Sequence, residues 1–131
     1  MTTKLKLPFG TPPATFKKEV VASILGEDGE LTQVKFDMKF KYRTRTQYGE
    51  LMDEYLAKQQ KPLEGEVTVK GVVENKNDFD VDAILKMADG WSLDDPFDKE
   101  SLTRLSDNYP SVISDITEAY RSAVMEGRIK N

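Results

Sequence analysis

Apolar and charged residues alternate without a break over VKFDMKFKYR, residues 34–43. Val34, Phe36, Met38, Phe40 and Tyr42 fall on one side of this pattern, and Lys35, Asp37, Lys39, Lys41 and Arg43 on the other. A period of two is that of a β-strand with one face buried and one in water. The preceding segment FKKEVVASIL, 16–25, also suits a strand, with Val20, Val21, Ile24 and Leu25 supplying apolar and β-branched groups. Between them GEDGE, 26–30, is turn chemistry, because Gly26 and Gly29 adopt positive φ without steric cost. The pattern predicts a β-hairpin over 16–43. A hairpin alone is marginally stable, so its apolar face needs a cover.

The rest of the chain supplies that cover with helical spacing. Thr44 or Thr46 N-caps a helix over 47–60, in which Tyr48, Leu51, Met52, Tyr55 and Leu56 recur three and four residues apart. Pro62 and Gly65 end it. The segment 66–75, EVTVKGVVEN, alternates at Val67, Val69 and Val72 as a short strand would, although Gly71 interrupts it. Asp78 or Asp80 then starts a short helix with Val81, Ile84, Leu85 and Ala88 on one face and a stop at Gly90. Asp98 caps a further helix through Leu102 and Leu105, and Pro110 fits the first turn of a last one that runs to Gly127. Val112, Ile113, Ile116, Ala119, Tyr120, Ala123 and Val124 make a continuous stripe on this last helix, read as core. The expected fold is α+β in a single domain over 1–131: a flexible arm over 1–15, the hairpin over 16–43, and a mainly helical part over 44–131.

Composition narrows the chemistry. The chain contains no His and no Cys, which removes thiolate and imidazole metal sites, disulfides, and nucleophiles activated by histidine. The charged fraction of 32% is high and the apolar fraction of 38% is low, so a modest core is expected. The net charge of −4 is unevenly spread, because Lys4, Lys6 and the hairpin lysines and arginines make residues 1–45 basic while the remainder is acidic. The opening segment lacks the apolar run of a secretory signal, and no stretch has the length of a membrane span, so a cytosolic protein without a membrane partner is expected.

The one tryptophan, Trp91, stands in an acidic run, ADGWSLDDPFDKESLTRL, residues 88–105. Residues 89–100 begin with Asp and end in Glu, as a calcium-binding EF-hand loop does, but Trp91 and Leu93 occupy ligand positions and Asp94 stands where the turn glycine belongs. Asp94 and Asp95 have no accompanying base or phosphate cradle, so they read as loop acids. Trp91 and Phe97 are read as anchors of a structural corner. The basic strand face from Lys35 to Arg45 raises nucleic-acid binding, yet alternation sends Phe40 and Tyr42 to the face opposite the lysines, where they cannot join them in a stacking platform. No catalytic, metal or cofactor site is expected.

An ordered set of residues in the last part of the chain carries a family resemblance. Gly90-Trp91 is followed by an acidic loop, Pro96-Phe97, and a helix with Leu102 and Leu105. Tyr109-Pro110, Ala119-Tyr120 and the terminal Gly127-Arg128-Ile129-Lys130-Asn131 complete it. From residue 81 onward the sequence resembles the tail assembly chaperones of long-tailed bacteriophages and related prophages. The resemblance implies a non-catalytic protein of the host cytoplasm, absent from the mature virion. It implies binding to the tape measure protein, with the tail tube protein as a second partner during tube assembly, and no small-molecule substrate. No contact motif transfers with the resemblance; Trp91, Phe97, Tyr120, Arg128 and Lys130 are the candidate protein-binding residues. Two other readings stay open: a structural tail component, such as a tail-tube or tail-completion subunit, and a nucleic-acid-binding regulator that uses the basic strand face. Oligomeric state is not legible.

Overall fold

The fold is seen in a computed structural model, which describes residues 10–59 and 64–127. Strands β1 (Thr15–Leu25) and β2 (Leu31–Lys41) form the expected antiparallel hairpin, in unbroken register from Leu25 opposite Leu31 to Thr15 opposite Lys41. The turn closes with Gly26 N donating to Glu30 O (2.8 Å) and Gly29 N to Gly26 O (3.0 Å). Only Gly29 of the two glycines takes a positive φ, 83°. One hairpin face buries Val20, Ala22, Phe36, Met38 and Phe40. Of the four apolar residues singled out on β1, Val21 and Leu25 are exposed, since strict alternation admits only every second side chain to the core. Lys18 shares the inward face at 4% exposure. An inward-pointing charge on an edge strand discourages pairing with foreign strands.

Helix α1 (Arg45–Gln59) starts from a reciprocal cap: Thr44 Oγ1 accepts from Gln47 N (3.1 Å), and Gln47 Oε1 accepts from Thr44 N (2.9 Å). Its one buried residue is Leu51; Tyr48, Met52 and Tyr55 pack against the core from the side, and Leu56 is exposed. Of the two helix breakers expected after it, Pro62 lies outside the described residues, and Gly65 has φ 76°.

The largest departure from expectation follows. Residues 66–75 form no strand, and no helix begins at Asp78 or Asp80. Instead a single helix, α2, runs from Val69 to Met87. Thr68, in extended conformation, accepts from Gly71 N with its hydroxyl (3.0 Å) and so caps the helix ten residues earlier than Asp78 would. Gly71 serves that cap rather than a strand bulge: a Cβ there would stand 3.2 Å from Thr68 Oγ1. A third strand holds the second edge of β2. This strand, β3 (Ala88–Trp91), went unforeseen. It pairs antiparallel with β2, Trp91 opposite Met38 and Ala88 opposite Phe40, with a bulge that leaves Asp89 beside Lys41 at 3.7 Å. Gly90 is therefore a strand residue, not a helix stop; α2 ends at Met87, where Ala88 N closes the last turn on Ile84 O.

The final helices match expectation. Asp98 Oδ1 accepts from Ser101 N (2.9 Å) to cap α3 (Lys99–Asn108). Pro110 opens α4 (Pro110–Glu126), and Gly127 ends it in the left-handed conformation at φ 68°. The stripe on α4 buries Val112, Ile113, Ile116 and Tyr120 against the sheet. Ser111 Oγ donates to Ser23 O (2.8 Å) and Asp115 accepts from Ser23 N (3.3 Å), so α4 also covers one end of the β1 edge. The architecture is a three-stranded antiparallel sheet, order β1-β2-β3, with helices over one face: α+β.

Candidate functional site

The structure places the sequence-derived candidates in two different settings. Trp91 and Phe97 come together edge to face, ring centroids 5.1 Å apart at 84°, and both pack half-buried against the core. The indole Nε1 donates to Asp95 O at 2.7 Å. Ser92 continues the β3 ladder in both directions, its N donating to Asp37 O (2.9 Å) and its Oγ accepting from Asp37 N (2.8 Å). The acidic loop is thus a strand end, an aromatic clasp and a helix cap in series. Among the described residues no cluster of acidic side chains could hold a metal ion.

Tyr120 is elsewhere and inside, at 0% exposure. Its ring meets Phe16, Phe40 and Tyr48 at centroid distances of 6.3, 5.0 and 5.8 Å. Its hydroxyl donates to Lys41 O (2.9 Å) and accepts from Arg43 Nη1 (3.1 Å). Burial lifts its phenol pKa above the ordinary value. The side chain holds α4 on the hairpin and presents nothing to a partner, so it belongs to the core and not to an exposed surface. Arg128 and Lys130 lie outside the described residues.

The outer face of the sheet pairs Lys17 with Lys39, Glu19 with Asp37, and Val21 with Lys35. Both charge signs are present, and Phe36 and Phe40 are buried on the far side.

A surface that sequence reading did not find lies between the helices. The amino-terminal half of α2 contains no buried residue before Val81; Val69, Val72 and Val73 are 83%, 48% and 48% exposed. Val72 and Val73 form one wall of a cleft of about 590 Å³, facing Tyr48, Met52 and Tyr55 of α1 across its floor and Ile113 of α4. Four of the five charged residues that line it pair with one another. Lys76 Nζ meets Asp80 Oδ1 at 2.7 Å and the Tyr55 hydroxyl at 3.2 Å, and Tyr55 itself donates to Asp80 (2.8 Å). Burial opposes the Lys76 charge, but the bonds to Asp80 and Tyr55 outweigh it and raise its pKa. Burial, with Asp80 beside it, also raises that of Tyr55. Arg121 is paired with Glu118 on the opposite rim (2.5 Å). At the far end Ser106 and Asp107 clasp Asn77 at 2.9 and 3.2 Å. The cleft therefore presents apolar side chains within a rim of two ion pairs and one carboxylate, Asp107, that is bonded to an amide. The usable signal was the uninterrupted run after Gly71: 72–89 contains neither Gly nor Pro, as a helix requires and a strand with its turns does not.

No curated protein and no solved structure matches the chain. A family model does, described as phage tail assembly chaperone, and it matches residues 1–131. With the whole of this sequence covered, the chain belongs to the phage tail assembly chaperone family.

Proposed function

We propose that this chaperone binds the tape measure protein of its phage, without catalysis, and that the cleft between α1, α2 and α4 is where it does so. The observation that carries this reading is the exposed valine ledge on α2, which adjoins a cleft with an apolar lining and mostly paired charges. A long helical protein exposes apolar stripes before it is packed away. An amphipathic helix lays such a stripe into an apolar groove, and a groove whose charges are mostly paired suits that apolar face. Exposed contiguous apolar surface on a charged protein is the usual mark of an interaction site. Recruitment of tail tube subunits follows as a later step of the same assembly role, in the host cytoplasm and outside the finished virion.

Co-expression tests the proposal. The tape measure protein of the same phage should be insoluble alone, and soluble and co-purified when this chain is present. Insolubility in both cases, or solubility with no complex, would count against it. A structural tail component would instead be present in stoichiometric amounts in purified virions, where this chain is expected to be missing.

A further inference from the structure

We infer a second docking surface, at the end of the molecule where β1 begins, β2 ends and α4 stops, that takes an acidic peptide segment carrying an apolar side chain. A cleft of about 570 Å³ opens there. Phe16, Tyr42, Ala123 and Val124 supply its apolar lining, and Arg43 and Arg45 its charge. None of its lining residues is shared with the cleft assigned to the tape measure protein, so the inference stands whichever way that proposal is decided.

Charge selects the ligand. The protein is acidic overall, yet this lining holds two arginines and no Asp or Glu. Neither arginine has a carboxylate partner among the described residues. Arg43 gives Nη1 to the Tyr120 hydroxyl, and Arg45 gives Nε to Met125 O at 2.9 Å. The nearby Glu126 is turned to Arg121 and Ser122 instead. Each guanidinium is thus positioned by a neutral acceptor while its other donors stay available for a carboxylate, which a planar fork grips in bidentate fashion. Pre-positioning lowers the entropy lost on binding.

A peptide is favoured over a nucleic acid by shape. Two cations flank an apolar floor here, whereas a phosphate backbone is gripped by a longer track of basic groups. The floor asks for a Leu, Phe or similar side chain between the acids.

The test titrates the full-length protein with a synthetic peptide of Asp and Glu residues around a Leu-Phe pair, and with its counterpart in which every acid is an amide. Amide chemical shifts locate the binding. The acidic peptide should shift Tyr42, Arg45 and Val124, lose affinity as salt rises, and bind R45Q more weakly by up to about fivefold. R45Q is the primary variant because Arg43 also holds the core hydroxyl of Tyr120; R43K, which keeps the charge but loses the fork, should retain the salt dependence and bind more weakly than wild type. Equal binding of the two peptides, shifts confined to other surfaces, or undiminished affinity in R45Q would overturn the inference. So would a single-stranded oligonucleotide that shifts the same residues at lower concentration than the acidic peptide does.

Discussion

From Val81 to Met87, helix α2 buries Val81, Ala83, Ile84 and Met87; from Val69 to Asp80 the same helix buries nothing. The carboxyl-terminal half is fixed by its fit against sheet and helices and then feeds directly into β3. The amino-terminal half is held by its cap at Thr68 and by polar clasps, Lys76 to Asp80 and Asn77 to Ser106 and Asp107. Exposed β-branched residues there give neither burial nor helix propensity. If the proposed function holds, stability and recognition are separated along one helix, and the separation can be attacked from either side.

The packed side should be fragile. Phe40 is wholly buried against Phe16 and Tyr120, and F40A should cost about 3–5 kcal/mol in urea unfolding, enough to threaten the fold. Trp91 is only half-buried, so W91F, which keeps an aromatic against Phe97 but loses the bond to Asp95 O, should cost about 1–2 kcal/mol. A loss as large as that of F40A would move the clasp into the core and break the contrast. The two caps sharpen it: T68A and D98A should each cost about 1 kcal/mol. T68A should fray only the ledge, seen as faster amide exchange over 69–76, while D98A should loosen α3 against its packed neighbours.

Alkaline pH reads both sides together. Burial raises the phenol pKa of Tyr48, Tyr55 and Tyr120. A pKa raised on folding means a contribution fully present below the unfolded value of about 10 and lost as pH climbs through the folded value. Stability should therefore decline above about pH 10, and tyrosinate absorbance should develop at higher pH in the native protein than in urea. The smallest effect on stability is expected at the ledge. V72A with V73A should change unfolding by no more than about 0.5 kcal/mol, since Ala gains in propensity what little contact the valines lose.

What the sequence revealed tracks how much of each element is buried on one side only. The hairpin was legible because residues 34–43, eight of them in β2, alternate between apolar and charged. The α4 stripe was legible because one face alone is apolar, and Asp98 and Pro110 mark their helix starts by local chemistry. The amino-terminal half of α2 carried no such stripe, because its partly covered side is made of Gly71, Asn75, Asn77 and Asp80 with Phe79 as its one large apolar residue, and Val67, Val69 and Val72 then imitate a strand. Strand β3 is four residues long, too short to show a period, and Gly90 within it looked like a helix stop. The same gap hid the cleft: its valine wall exists only once 69–87 is one helix. Tyr120 was misleading for a related reason, since an aromatic with a polar tip serves a core or an interface equally well in sequence, and only the bonds to Lys41 O and Arg43 assign it to the core.

The central claim, that the ledge of α2 recognises the tape measure protein while the packed half only supports it, is tested most directly by one co-purification. Val72→Asp with Val73→Asp should leave the unfolding transition of the chain within about 0.5 kcal/mol of wild type. Co-expressed with the tape measure protein, wild type should keep that protein soluble and in complex, and the double variant should lose both. A stably folded double variant that still holds the tape measure protein in solution would contradict the account.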